Sequence, residues 1–262
     1  MFKPKIIFFD IDDTLYIKDE ARVPESARRA LLQLRQSGVI TAIATGRSPS
    51  VLPEAVKALI DECGIELLVW INGQYIRYRN TTLADFPMQT DTLRDTAARL
   101  TAAGINHAFV SAAQLAVARE DAYLAAAARV LRLPYEIDPE HYTRYPIYQM
   151  LAFFPPEQDD FVRGLLPPQL KIVRWHTGGV DILDKQGSKA RGIRAALGAL
   201  GLEMADAMAF GDGANDVEML SAVGFGVAMG NAAPELKRLA KYVCPPIHED
   251  GIERGLRDLG VI

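Results

Sequence analysis

The stretch from Ile6 to Leu15 constrains the fold most, because four consecutive apolar residues run directly into two carboxylates spaced two positions apart. A short apolar run without alternation is typical of a strand that is buried on both faces of a parallel sheet. Such a strand ends at the carboxyl edge of the sheet, where open α/β folds bind their ligands. Side chains alternate along an extended chain, so Asp10 and Asp12 are predicted to point to the same side.

Two neighbouring carboxylates repel each other, and this pair therefore suggests one of two structures. A hard cation that prefers oxygen ligands, such as Mg²⁺, would relieve the repulsion between Asp10 and Asp12. The alternative is a strand followed by an ordinary acidic turn in which an Asp caps the chain. The later parts of the chain favour the cation site.

Length and charge exclude several classes of protein. The chain has 262 residues, enough for two domains, and its net charge of −4 argues against a nucleic acid or an anionic membrane as partner. Cys63 and Cys244 stand far apart in no metal-binding pattern, which indicates free thiols in a reducing cytoplasm. The first apolar run is too short for a signal peptide, and no stretch is apolar and long enough to span a bilayer.

Periodicity and turn residues divide the chain into a parallel core and an inserted domain. An opening βαβαβ unit is predicted, with its later elements at 25–37, 39–44, 49–63 and 66–71. Residues 83–184 follow the order αββαβαββ, which indicates a mainly antiparallel α+β domain, and the βα alternation then resumes. We therefore predict an α/β protein with a doubly wound, Rossmann-like parallel sheet core from residues 1–82 and 185–262, and an inserted α+β cap domain.

The second predicted core strand also ends in polar residues. Thr45 and Gly46 follow the strand at 39–44, and a helix is predicted to start directly after Ser48. A hydroxyl, backbone N–H groups and a helix N-terminus together make a small anion site. The alternative is an ordinary strand-to-helix loop in which Ser48 caps the helix.

Carboxylates and a lysine recur where the core resumes. Asp212 and Asp216 follow the strand predicted at 207–210, so acids from separate strands would meet Asp10 at one sheet edge and form an oxygen-rich cation site. Lys189 opens a predicted helix, although the helix dipole favours an acid at that end. This lysine either lies in solvent at the helix start or neutralises a phosphoryl group beside the acids.

Four motifs in this order resemble those of the haloacid dehalogenase (HAD) superfamily of phosphatases, and within it the Cof-type group with a large α+β (type IIB) cap. The motifs are Asp10-Ile11-Asp12-Asp13-Thr14, Thr45-Gly46-Arg47, Lys189 and Gly211-Asp212-Gly213-Ala214-Asn215-Asp216. The resemblance covers essentially the whole chain. The family often has Gly where this chain has Asp13, which adds negative charge near the mouth of the site without touching the chemistry.

The resemblance implies a mechanism and a role for each motif residue. Asp10 would attack phosphorus to form an aspartyl-phosphate, and Asp12 would protonate the leaving alcohol and later deprotonate water. Mg²⁺ would be held by the Asp10 and Asp212 carboxylates and the Asp12 carbonyl, while Asp216 would orient water or Lys189 rather than bind the metal. The implied ligands of the phosphoryl oxygens are Thr45, the N–H groups of Ile11 and Gly46, Lys189 and Asn215.

The inserted domain would close over the site and recognise the leaving group. Its candidate substrate contacts are Arg174, Trp175, His176 and Asp181, together with Arg119, Tyr148 and Gln149. The resemblance is closest to hexose-phosphate phosphatases. It implies a cytoplasmic Mg²⁺-dependent phosphomonoester hydrolase that acts on small phosphorylated metabolites, in particular sugar phosphates, as a monomer or weak dimer without nucleic-acid or membrane partners.

Two alternatives stay open at the level of sequence. A phosphomutase or phosphotransferase would share Asp10, Asp12 and the aspartyl-phosphate. A non-enzymatic phospho-Asp receiver or sugar-phosphate sensor would also place a phosphoacceptor Asp on an α/β sheet. Asp12, Lys189 and the cap argue against the receiver, because a receiver has no use for an acid that expels an alcohol.

Overall fold

The computed structural model describes residues 2–262, which form two compact units. The first unit contains residues 2–46, 52–85 and 188–262, and the second contains residues 47–51 and 86–187. Among the helices of the described residues, none combines the length and the apolar character needed to cross a membrane.

The helices and strands alternate in the first and last parts of the chain. In chain order the strands are β1 Ile6–Phe9, β2 Ile40–Ala44, β3 Leu67–Trp70, β4 Tyr75–Tyr78, β5 Thr81–Asp85, β6 Asn106–Val110, β7 Leu115–Val117, β8 Glu136–Ile137, β9 Gln149–Phe153, β10 Leu170–His176, β11 Gly179–Asp184, β12 Ala207–Gly211, β13 Phe225–Ala228 and β14 Tyr242–Val243. The α-helices are α1 Glu25–Gln36, α2 Glu54–Cys63, α3 Thr90–Ala102, α4 Ala122–Leu131, α5 Asp159–Leu165, α6 Lys189–Ala199, α7 Val217–Ala222, α8 Pro234–Leu239 and α9 Gly251–Asp258.

The first unit is built on one sheet with the order β14-β13-β12-β1-β2-β3-β4-β5. Neighbouring strands from β14 to β3 pair in parallel, whereas β4 and β5 pair antiparallel. The chain leaves β1 toward β2 on one side and later returns to β12 on the other. The predicted doubly wound sheet is therefore confirmed, and the carboxyl end of β1 lies at its switch point, where such sheets bind ligands.

Strand β1 is buried on both faces, as its unbroken apolar run predicts. All four of its residues are 0% exposed. Ile7 and Phe9 pack in a cluster with Leu31 of α1 and Leu256 of α9. Each such side chain contributes about 2 kcal/mol of hydrophobic stabilisation, so the base of the site is rigidly packed.

The second unit has a six-stranded sheet with the order β10-β11-β9-β6-β7-β8, and only the β7–β8 pair among these neighbours is parallel. The predicted mainly antiparallel α+β domain is confirmed. Helices α3 and α5 cover one face through a cluster that includes Phe109, Met150 and Ile182. Because side chains alternate, Asp181 of β11 lies on the opposite face from Ile182.

The structure differs from the sequence-based elements at two places. The helix predicted at 49–63 is wrong in its first part, since a short 3₁₀ turn at Pro49–Val51 precedes α2, which starts at Glu54. Pro53 has an extended backbone and disfavours a helical conformation in the residue before it. Ser48 therefore does not cap α2, and its hydroxyl oxygen lies 2.8 Å from that of Ser50.

Strand β5 was not predicted, because it is a polar edge strand with weak apolar alternation. It pairs with β4 and extends the sheet of the first unit to Asp85. The first unit resumes at Ser188. The boundaries after residues 82 and 184 stay predictions, and the short segment 47–51 groups with the second unit.

Candidate active site

Asp10 is fixed at the carboxyl end of β1. Its N–H donates a hydrogen bond to the Phe210 carbonyl of β12 at 3.0 Å, and the residue is only 6% exposed. The loop that follows folds back on the Ile11 carbonyl, which accepts hydrogen bonds from Leu15 N at 2.9 Å and from Tyr16 N at 2.8 Å. Backbone hydrogen bonds on both sides thus hold the Asp10 carboxylate at the switch point of the sheet.

The residue at the position where the family often has Gly adopts a left-handed backbone. Asp13 has φ 57°, a conformation that Gly adopts freely and that Asp tolerates better than most residues. Its carboxylate pairs with Lys18 at 2.7 Å, and Asn231 Nδ2 donates to its carbonyl at 2.9 Å. The additional negative charge is therefore balanced locally by Lys18.

Lys189 lies beneath the acids and is fully buried. Its Nζ donates to Asp10 Oδ1 at 2.6 Å and to Asp216 Oδ1 at 2.7 Å. The Ser188 hydroxyl oxygen accepts from Arg191 N at 3.2 Å and so caps α6, which begins at Lys189. A side chain that is 0% exposed is not a solvated helix start, so that interpretation of Lys189 is wrong.

Burial and crowding shift the pKa values of these groups in opposite directions. Burial raises the pKa of Asp10, the Lys189 ammonium lowers it, and Asp216 and Asp12 raise it again, with a net increase. Burial alone would lower the pKa of Lys189, but the attraction of Asp10 and Asp216 outweighs burial and raises it. The lysine therefore stays charged, but it does not fully offset the burial and repulsion that raise the pKa of Asp10.

Asp212 and Asp216 are positioned by the turn that follows β12. Asp216 folds back over the strand end so closely that a Cβ on Gly211 would lie 2.5 Å from Asp216 Cγ. Asp216 Oδ2 accepts from Asp212 N at 3.0 Å and from Gly213 N at 2.9 Å. Asp212 Oδ1 accepts from the Thr14 hydroxyl at 2.7 Å. Burial raises the pKa of Asp212 most, and repulsion from Asp10 and Asp216 raises it further.

These acids form a set of donors that suits a hard divalent cation. Asp10, Asp212 and Asp216 each offer a carboxylate oxygen, and the three oxygens lie within 4.8 Å of one another. Oxygen ligands in a buried site of excess negative charge fit Mg²⁺. Asp216 already accepts hydrogen bonds at both oxygens, which favours a positioning role for it. Asp12 is partly exposed and pairs with Tyr16 in a backbone bridge, and its carbonyl stays a predicted ligand.

The predicted phosphate ligands come from two neighbouring parts of the same sheet edge. Thr45 is 0% exposed at the end of β2, and its carbonyl accepts from Asn72 N at 2.9 Å. A Cβ on Gly46 would lie 3.2 Å from Asn72 Oδ1 and 3.4 Å from Asn215 Nδ2. The structure thus brings the second and fourth motifs together and adds Asn72, which lies outside the four motifs.

Two functional candidates were missed from the sequence. Thr14 belongs to the first motif, where no role was predicted for it, and its hydroxyl donates a hydrogen bond to Asp212 Oδ1. Asn72 lies outside the four motifs, in the turn that joins β3 to β4. Its position just after a buried core strand, like that of Asp10 and Thr45, was the available signal.

The candidate substrate contacts of the second unit are largely engaged within it. Arg174 Nη1 donates to the carbonyls of Phe154 at 3.2 Å and His176 at 2.9 Å, and Nε donates to Asp159 at 3.1 Å. The guanidinium also lies 4.9 Å from the centroid of the Phe154 ring. These contacts favour a structural role for Arg174.

Trp175, His176 and Asp181 lie on β10 and β11, near the turn between them. The Trp175 ring covers Gly179, where a Cβ would lie 2.9 Å from the ring, and His176 Nδ1 accepts from Gly178 N at 3.0 Å. Asp181 is 7% exposed and stands between β10 and β9. Contact of these residues with a substrate stays a prediction.

Comparisons with known proteins identify the family. A sequence profile described as haloacid dehalogenase-like hydrolase matches residues 7–256. The protein YkrA of Bacillus subtilis (strain 168) is 35% identical over 260 residues, which cover 98% of each chain. A crystal structure of a protein from Geobacillus kaustophilus HTA426 is 37% identical with a TM-score of 0.87, covering 99% of this chain and 100% of that one.

A third relative has a named activity. The structure of the HAD subclass IIB sugar phosphatase BT4131 is 29% identical to this chain with a TM-score of 0.88, covering 98% of this chain and 99% of that one. The sequence-based assignment to the HAD superfamily and the prediction of an enzyme of its phosphatase type are confirmed. Since the profile spans nearly the whole chain, this protein belongs to the haloacid dehalogenase-like hydrolases.

Proposed function

We propose that this protein is a Mg²⁺-dependent phosphomonoester hydrolase that acts on small phosphorylated metabolites, in particular sugar phosphates. The single observation that carries the proposal is the buried Lys189, which bridges Asp10 and Asp216 while Asp212 lies beside them. Relatives support the substrate class. BT4131 is named a sugar phosphatase, and a 26% identical Bacillus subtilis protein, YcsE, is named 5-amino-6-(5-phospho-D-ribitylamino)uracil phosphatase.

Asp10 serves as the nucleophile in this proposal. Its carboxylate forms a bond to phosphorus as the bond between phosphorus and the leaving oxygen breaks, which gives an aspartyl-phosphate and a free alcohol. Lys189 binds Asp10 Oδ1 at 2.6 Å, so it fixes the plane of the carboxylate and lowers the pKa that burial has raised. The nucleophile is thereby oriented, and its ionised form is favoured over what burial alone would allow.

Asp12 moves the proton in both halves of the reaction. It donates a proton to the leaving alkoxide oxygen in the first half and accepts one from the attacking water in the second. The water oxygen then bonds to phosphorus, free phosphate leaves, and the Asp10 carboxylate is restored. Asp12 is partly exposed, so it has the access to solvent that this exchange requires.

The phosphoryl oxygens and the cation have separate ligands. Thr45, Lys189, Asn215 and the N–H groups of Ile11 and Gly46 bind the oxygens, and fixed donors of this kind supply most of the catalysis in phosphoryl transfer. Asp10, Asp212 and the Asp12 carbonyl would hold Mg²⁺, and Asp216 positions Lys189 and the turn after β12. When bound, Mg²⁺ supplies positive charge that offsets the repulsion between the nucleophile and the phosphate.

The test is a panel of phosphorylated metabolites assayed for phosphate release with and without Mg²⁺. Wild-type protein is expected to release free phosphate only with the cation, and Asp10→Asn is expected to reduce release to background. Activity of Asp10→Asn near the wild-type level rules out the nucleophile. Formation of an isomerised sugar phosphate instead of free phosphate favours a phosphomutase, and an aspartyl-phosphate that survives for minutes in Mg²⁺ favours a receiver or sensor.

The remaining predictions concern the setting of the enzyme. A cytoplasmic location remains our prediction, and the two cysteines are free and buried, as expected for thiols in a reducing compartment. A monomer or weak dimer without nucleic-acid or membrane partners is likewise the state that we propose.

A further inference from the structure

We propose that Asn72 is a positioning residue of the phosphate site, which orients the side-chain amide of Asn215 toward the phosphoryl group. The inference rests on the proposed function, because it concerns how that site binds phosphate. Asn72 lies outside the four motifs, immediately after β3, and is only 2% exposed. A buried polar side chain at this edge of the sheet needs a partner, and Asn215 of the fourth motif is one.

The backbone around Asn72 is held in an unfavourable conformation. Ile71 and Asn72 both have φ 50°, and Gly73 has φ 82°, so three consecutive residues lie in the left-handed region. For a β-branched residue such as Ile71 this conformation is a rare outlier. Strained backbone persists where the surrounding structure enforces it, and such residues cluster at active sites.

Helix α6 is the element that enforces the conformation. A Cβ on Gly73 would lie 2.1 Å from the Ser188 carbonyl oxygen, and a Cβ on Gly192 would lie 2.6 Å from Gly73 Cα. The turn therefore lies against the first turn of the helix that begins with Lys189. Gln74 strengthens the junction, since its side chain hydrogen-bonds both Arg191 and the Asn72 carbonyl.

Asn72 in turn contacts both phosphate-binding motifs. Its N–H donates to the Thr45 carbonyl at 2.9 Å, and its Oδ1 accepts from Asn215 Nδ2 at 2.9 Å. The absence of a side chain at Gly46 leaves room for this pair, because a Cβ there would lie 3.2 Å from Asn72 Oδ1. One residue therefore connects the end of β2, the turn before β4 and the turn after β12.

The hydrogen bond to Asn72 determines what Asn215 can do. A side-chain amide nitrogen carries two hydrogens, and the bond to Asn72 uses one of them and fixes the plane of the amide. The second hydrogen then has a defined direction and is available to donate to a phosphoryl oxygen. Without Asn72 the amide of Asn215 rotates more freely, and part of the binding free energy is lost in ordering it.

The variant that separates positioning from folding is Asn72→Gly. Glycine adopts a left-handed backbone without strain, so this variant removes the side chain and keeps the turn. Its partners are Asn215→Ala, the double variant Asn72→Gly/Asn215→Ala, and the control Asn80→Gly at an exposed position in the turn between β4 and β5. The readouts are calorimetric affinity for inorganic phosphate in Mg²⁺, the melting temperature, and kcat and KM for a sugar phosphate that the wild type hydrolyses.

We expect Asn72→Gly and Asn215→Ala each to weaken phosphate binding about 5- to 10-fold, the effect of one lost hydrogen bond. The double variant should bind phosphate about as weakly as Asn215→Ala, because Asn72 acts through Asn215. The melting temperature of Asn72→Gly and every property of Asn80→Gly should stay near the wild-type values.

The inference is overturned if Asn72→Gly binds phosphate as tightly as the wild type. It is also overturned if the affinity losses of the two single variants multiply in the double variant. If Asn72→Gly does not fold, Asn72→Ala replaces it, since Ala also removes the oxygen that accepts from Asn215 Nδ2. Unchanged affinity in that variant overturns the inference equally. A wild-type protein that neither binds nor releases phosphate rejects the proposed function instead, so the two failures are distinguishable.

Discussion

Each unit of the molecule contains a cation held by a carboxylate, and the two pairs differ in how well their charges balance. Lys189 is 0% exposed and contacts Asp10 and Asp216, with Asp212 nearby, so three acids surround one ammonium group. Arg174 is paired with Asp159, and it also donates to the backbone carbonyls of Phe154 and His176. The first cluster contains more carboxyl groups than its single ammonium group can pair with, and a divalent cation can bind them in ionised form. The donors of Arg174 find their acceptors within the second unit.

The largest expected effect tests this difference directly. Lys189→Met should lower kcat/KM by about 10²- to 10³-fold, the effect of losing one preorganised electrostatic contact in an active site. Arg174→Met, the matched variant of the second unit, should change kcat/KM less than about threefold and lower the free energy of unfolding by about 1–3 kcal/mol through lost hydrogen bonds. Steady-state kinetics and denaturant unfolding measure both. A loss of kcat/KM in Arg174→Met as large as in Lys189→Met would contradict the comparison.

The cluster of acids around Lys189 also predicts how the stability of the protein depends on pH. Burial and mutual repulsion raise the pKa of Asp10 to about 7 and that of Asp212 to about 8, both from 3.8. The folded protein then binds protons that the unfolded chain has already released, so the metal-free protein should lose stability as the pH rises from about 4 to 8. Mg²⁺ competes with these protons and should raise the melting temperature more at pH 8 than at pH 5.

Calorimetry with EDTA or with Mg²⁺ at the two pH values measures this effect. Each kcal/mol corresponds to about 2–4 °C in a protein of this size. Asp212→Asn is the control, because it removes one of the two shifted groups and should reduce both the pH dependence and the Mg²⁺ effect. Equal stabilisation by Mg²⁺ at pH 5 and pH 8 would show that the acids do not hold the expected protons.

The sequence predicts the parts of this site that depend on local pattern. An unbroken apolar run places β1 inside the sheet, and the residues after β1, β2 and β12 then have to meet at one edge. The same reasoning yields the α+β character of the second unit. Local pattern did not predict the start of α2, which begins at Glu54 after Pro53. It also did not predict β5, because this polar edge strand shows almost no alternation of apolar and polar residues.

The contacts that link distant residues are not visible in the sequence. Thr14 and Asp212 are 198 residues apart in the sequence, and Asn72 and Asn215 are 143 residues apart. Either pair can be recognised only once the strand order is known. Arg174 shows the converse problem. Its residue type predicts a substrate contact, which stays a prediction, whereas the contacts of its guanidinium within the second unit are visible only in the structure.

A smaller effect is expected where a neutral group supports the acids. Thr14→Val removes the hydroxyl that donates to Asp212 Oδ1 at 2.7 Å and preserves the shape of the side chain. Loss of a residue that orients a metal ligand typically weakens metal binding about 10- to 100-fold, so the Mg²⁺ concentration for half-maximal activity should rise by that factor. Thr14→Ser retains the hydroxyl and should restore near wild-type Mg²⁺ dependence. Equal Mg²⁺ dependence of Thr14→Val and wild type would leave Asp212 oriented by other contacts.

The smallest expected effect concerns Asp13, where this chain departs from the residue common in the family. Asp13→Gly removes the ion pair with Lys18, which is partly exposed and contributes less than about 1 kcal/mol. Glycine also fits the left-handed backbone at φ 57°, so the free energy of unfolding should change little. Because Lys18 is then released from Asp13 near the acids, KM for an anionic substrate should fall slightly while kcat stays constant. A large loss of kcat in Asp13→Gly would place Asp13 in the chemistry itself. The Asp13–Lys18 pair would then belong to the catalytic site, as the cluster around Lys189 does.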